Sequence, residues 1–108
     1  MIRSNPDPTP IATFLAPLAA LALRQPEIEA TVFWGGEDWP TEPAERLESE
    51  EVAFYAEGLM LEGFHLLWQI IAAPDSPTTP GHIRLMIWET GPPPPAHGWP
   101  ILQQASWP

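Results

Sequence analysis

The chain is 108 residues long, carries a formal charge of −10, and has no cysteine and only four cations, Arg3, Arg24, Arg46 and Arg84. Disulfides, thiolate nucleophiles, zinc–thiolate centres, lysine Schiff bases and a P-loop lysine are therefore excluded. So is a basic groove that tracks phosphates, because such binding gathers several cations in one place.

The length predicts a single domain over 1–108. Proline is frequent, 16 of 108 residues against an average near 5%, so many connections should be stiff and poor in backbone donors. Residues 1–9 read as a flexible lead-in with Pro6 and Pro8. Thr9-Pro10 then suits a helix cap followed by proline at the first helical position. Ile11, Phe14, Leu15, Leu18, Leu21 and Ala22 recur at helical spacing. Pro17 removes the bond to the Thr13 carbonyl, which predicts a kink or a fresh start there, and Pro26 ends the segment. The apolar run from Ile11 to Leu23 is too short to cross a bilayer. Asp7 and the prolines before it favour a packed helix over a secretory segment.

Ile28 to Trp34 alternates as a half-buried strand, with Ile28, Ala30, Val32 and Trp34 on one face. Gly35-Gly36 predicts a turn, and Glu37 to Pro43 a loop. From Pro43 a short helix is expected to about Glu48, with Glu42–Arg46 and Arg46–Glu50 as spaced charge pairs. Glu51 to Glu57 fits two periods. Val52, Phe54 and Ala56 alternate as in a strand, and Leu47, Val52, Tyr55 and Leu59 fit a helix face; the strand Val52–Ala56 is the preferred reading. Gly58 and Gly63 argue against one unbroken helix through this region.

Gly63–Ala72 and His82–Glu89 read as a long hairpin at the centre of the sheet. Phe64, Leu66, Trp68 and Ile70, with Ile83, Leu85 and Ile87, make an almost wholly apolar face for a helix to cover. His65, Leu67, Gln69 and Ile71, with His82, Arg84, Met86 and Trp88, make a mixed one. Pro74, Pro77, Pro80 and Gly81 predict a rigid loop that does not extend the ladder. The tail, 91–108, is rich in proline and tryptophan. Pro92–Pro95 takes polyproline II geometry, expected as a strap on its own domain, since no arginine flanks it as polyproline-binding modules often want. Ile101 and Leu102 suit a short edge strand. The fold class expected is α+β: an N-terminal helix on a small, mainly antiparallel sheet of about four strands, closed by a Pro-rich C-terminal strap.

For function, the placement of charge says more than its size. Eleven acids and the single base Arg46 lie between Glu27 and Glu62. The stretch Trp34 to Pro40 sets Trp34 and Trp39 around a glycine turn with Glu37 and Asp38, and tryptophan is enriched where interfaces anchor. The expected function is a non-enzymatic, acidic protein-binding module, an adaptor, immunity protein or inhibitor of the kind mobile elements carry. Its partner-binding residues would be Trp34, Glu37, Asp38, Trp39, Glu45, Glu48, Glu50 and Glu51, set against a basic protein surface. Mimicry of nucleic acid is the sharper version, with carboxylates in place of phosphates. No cofactor, no direct nucleic-acid contact and no membrane are expected, and the absence of cysteine fits the cytoplasm. Two alternatives differ in class: a structural subunit of a homo- or hetero-oligomer, and a small ligand- or metal-binding enzyme using His65 and His82. Serines 4, 49, 76 and 106 lie outside any nucleophile-elbow pattern, and no carboxylate pair is marked as buried.

Overall fold

A computed structural model describes residues 9–108. The order of elements is α1 (Thr9–Arg24), β1 (Glu29–Trp34), β2 (Glu45–Glu48), α2 (Ser49–Leu61), β3 (His65–Ala73), β4 (Ser76–Trp88) and β5 (Ile101–Trp107). The expected lead-in lies outside the described residues except for Thr9, where α1 opens. Helix α1 runs through Pro17 as one element, so no second helix starts there. Among the described residues, no helix is long and apolar enough to cross a membrane.

The fold is α+β, with two helices and a five-stranded mixed sheet of order β2-β1-β4-β3-β5. The ladders β1–β2, β3–β4 and β3–β5 are antiparallel, and β1–β4 is parallel. This corrects the expected sheet of about four strands in two ways. The segment Val52–Ala56 is helical, inside α2, and Glu45–Glu48 forms the edge strand β2. Arg46 therefore sits opposite Thr31 on a strand, and the helical charge pairs drawn through it do not form.

Burial explains the swap. In α2, Val52, Ala56 and Met60 are buried at helical spacing, and all three join the core. The helix start is stabilised locally: Glu51 accepts a hydrogen bond from the Glu48 amide at 3.0 Å, one half of a capping box. Ser49 is buried beside it and donates its hydroxyl to the Pro26 carbonyl at 3.1 Å, tying α2 to the end of α1.

The hairpin also departs from expectation. Its turn is only Pro74-Asp75, and the ladder continues into the proline-rich segment, with Ala73 opposite Ser76 and Ala72 opposite Pro80. Register shifts at Ala72 absorb the extra residues, and bulges are where a strand tolerates proline. Gly81 is required here, because a side chain would strike the Ala73 backbone. Strand β5 is seven residues long, well beyond Ile101 and Leu102.

One core results. Leu15, Leu18 and Leu21 of α1 meet Ala30 and Val32 of β1, Leu66, Trp68 and Ile70 of β3, and Ile83, Leu85 and Ile87 of β4. The apolar face expected from alternation is thus the face that the helices cover. Trp68 is 1% exposed and donates its indole N–H to the Phe14 carbonyl of α1 at 3.0 Å. A buried ring with its one polar atom satisfied contributes its full apolar area without penalty.

Candidate functional site

Two surfaces gather side chains with chemical potential. The first is the corner where β2 runs into α2. Glu45, Glu50 and Glu51 are exposed there and line one open cleft of about 520 Å³ with Leu47, Phe54, Tyr55 and Gly58. Phe54 stands 82% exposed at its rim. The strand reading of Val52–Ala56 put Phe54 on one face with Val52 and Ala56; the helix buries those two and turns Phe54 to solvent. Tyr55 donates its hydroxyl to the Glu45 carboxylate at 3.2 Å. Burial pushes the Tyr55 hydroxyl pKa up and Glu45 adds to the rise, while a hydrogen bond with Trp34 works against it. Glu48 lies one residue outside this cleft, directly opposite Glu29 in the β1–β2 register. Like charges placed face to face across two strands destabilise a sheet.

The glycine turn does not act as one unit. Trp34 is 36% exposed and packs edge-on against Phe64 at 5.3 Å, beside Tyr55 on the helix side of the sheet. Trp39 goes to the other face. Its ring lies over Gly35, meets Trp88 edge-on at 5.7 Å, and its indole N–H donates to the Pro92 carbonyl at 3.0 Å. Glu37 and Asp38 are exposed between them and line neither cleft described here. Of the eight residues picked out by sequence, the structure thus groups Glu45, Glu50 and Glu51, with Trp34 nearby. Glu48 borders that group, and Trp39 is set apart.

The second surface is the face of the sheet turned away from the helices. No helix covers it among the described residues, yet Ile71, Met86, Gln69 and Arg84 are buried on it. Two irregular segments, 35–44 and 91–100, reach this face. Each lays one tryptophan on this face, Trp39 against Trp88 and Trp99 against Arg84. Gly91 sits where the segments touch. Its φ is +92°, and any side chain would collide with the Gly36 carbonyl. A cleft of about 260 Å³ opens between them, lined by Phe33, Trp39, Pro40, Thr41, Arg84, Pro95, His97 and Trp99.

His65 and His82 share this face but do not meet. His65 pairs with Trp88, and His82 with Ile71. That register separates them by six residues of β3, roughly 20 Å at a strand's rise. One ion cannot bridge them. His65 stacks on Trp88, and its Nδ1 lies 2.6 Å from the Pro108 carbonyl. His82 meets Trp99 edge-on, and its pKa is lowered by burial first and by the neighbouring Arg84 charge second. Arg84 was legible only as one member of a mixed strand face, because its aromatic neighbours Phe33 and Trp99 come from distant parts of the chain.

No family model, curated protein or solved structure matches this chain.

Proposed function

We propose that the protein is a non-enzymatic binding module that presents the β2–α2 corner to a basic protein surface. The observation that carries this reading is the cleft in which Glu45, Glu50 and Glu51 surround the exposed Phe54. A bare aromatic ring inside a ring of carboxylates is the arrangement of an interface anchor with steering charge around it. Glu29 opposite Glu48 adds support, since it places further acidic residues along the same edge for a cationic partner to meet. The partner is a protein, with no cofactor and no direct nucleic-acid contact, and the setting is the cytoplasm. In this reading the segment Pro92–Pro95 is an internal strap, and Trp39 holds it in place.

The test compares proteins retained from host extract by the wild type, by Phe54→Ala, and by the combined Glu45, Glu48, Glu50 and Glu51 to Gln variant. A specific partner should be lost with both variants and released at about 0.5 M salt. Partners that remain unchanged by both remove this corner from the argument.

A second reading is favoured by β5. This edge strand (ILQQASW) carries neither charge nor internal proline, and its ladder to β3 is regular from Gln103 to Trp107, beyond a register shift near Leu102. It suits a subunit that adds a strand to a copy of itself or to another chain. Light scattering across micromolar concentrations decides it, since a monomer throughout leaves no self-assembly to explain.

A further inference from the structure

The cleft on the face away from the helices holds a cation with no carboxylate partner among the described residues. Arg84 is 8% exposed, in a chain where acids outnumber bases 14 to 4. Its position is fixed by a short relay: Arg84 Nη1 donates to Gln69 Oε1 at 3.1 Å, and Gln69 Nε2 donates to Gln104 Oε1 at 3.0 Å. The guanidinium lies 4.9 Å from the Phe33 ring and 5.0 Å from the Trp99 ring. These contacts hold the cation without neutralising it. Burial alone lowers its pKa, and no carboxylate of the described residues contributes.

A guanidinium has five N–H donors, and Gln69 uses a donor on one nitrogen only. No fully buried side-chain nitrogen or oxygen among the described residues lacks a partner, so guanidinium nitrogens from which no protein group accepts keep some contact with solvent, and Arg84 lines the cleft. A preformed cation in an apolar, aromatic-walled cleft is the usual plan of a small-ligand site, in which few polar groups orient a mainly apolar ligand.

We propose that this cleft binds a small, flat monocarboxylate, an aryl carboxylate in chemical class. Its carboxylate would take the free edge of Arg84 as charge-assisted hydrogen bonds, and its ring would lie between the Trp39 and Trp99 walls. Arg84 is the one arginine among the lining residues, and it sets the ligand's charge. A phosphate dianion would leave one charge unmatched in a chain already strongly negative. The size of the cleft, about 260 Å³, suits one or two rings rather than a drug-sized molecule.

The test uses the full chain and three probes of one shape: 2-naphthoate, neutral 2-naphthamide and 2-naphthyl phosphate. Binding is read by calorimetry and by quenching of tryptophan fluorescence. The carboxylate should saturate and bind at least about tenfold more tightly than either other probe. Arg84→Gln should bring carboxylate and amide to within about twofold of each other. Thr41→Trp, an exposed position at the cleft, should weaken the carboxylate at least about tenfold by filling the space. The first contrast needs no variant, so it stands even where Arg84→Gln fails to fold. A carboxylate that does not saturate, or binds no better than the amide, overturns the proposal. So does tighter binding of the phosphate, or binding that Thr41→Trp leaves unchanged.

Discussion

The two faces of the sheet are made by alternate residues of the same strands, yet they are closed by different means. On the helix face, Leu66, Trp68, Ile70, Ile83, Leu85 and Ile87 pack under α1 and α2, and all are buried. That packing is non-directional and dense. On the other face, the connections 35–44 and 91–100, which lack regular structure, meet Trp88 and Arg84 through Trp39 and Trp99. Closure there depends on a few directed contacts: a cation between rings, an indole on a carbonyl, a glycine against a glycine. The comparison teaches that one face of this sheet serves stability, and the other holds polar groups at fixed positions with clefts beside them.

The comparison breaks most visibly at Trp68. Trp68→Ala should lower unfolding free energy by about 3–5 kcal/mol in denaturant titration, because it leaves a large cavity and removes the indole hydrogen bond to the Phe14 carbonyl. A loss below about 1 kcal/mol would mean the helix face is not the stabilising one. Gly91→Ala should cost about 1–3 kcal/mol, since the new side chain meets both a left-handed backbone and the Gly36 carbonyl. Its effect should appear first as altered tryptophan fluorescence, with the helical circular dichroism retained. Gln69→Leu should cost about 1–3 kcal/mol by removing the acceptor that Arg84 uses.

The smallest expected effect is pH-dependent and belongs to the mixed face. Burial lowers the His82 pKa in the folded chain. The unfolded chain then binds more protons just below its ordinary value of about 6.5, so stability falls as pH drops through that region and levels off below the folded value. His82 is only partly buried, so the slope should be shallow. His82→Gln should remove it, as measured by thermal melting between about pH 7.5 and 5.

Much of this fold was legible before the structure. Helix α1, strand β1 and both faces of the hairpin follow from periods of 3.6 and 2, and the structure keeps each of them. The region from Pro43 to Leu61 was not legible in the same way. Four residues, ERLE, cannot distinguish a strand from a helical turn, and Val52, Ala56 and Met60 form a helical stripe only once a core exists to bury them. Of the residues at the β2–α2 corner, the acids were legible as a charge cluster, whereas the strand reading grouped Phe54 with Val52 and Ala56, from which the helix separates it.

The sequence by itself determined what chemistry is excluded, where the negative charge lies, and which strand residues share a face. These follow from composition and from the fixed alternation of an extended backbone. The tertiary structure alone decided the parallel pairing of β1 with β4, the extension of β5 along β3, and the separation of Trp34 from Trp39 across the sheet. It also brought Phe33, Arg84 and Trp99 together from three distant segments. Local patterns set which way a side chain points, whereas its neighbours depend on pairings between segments that the chain settles only as it buries its surface.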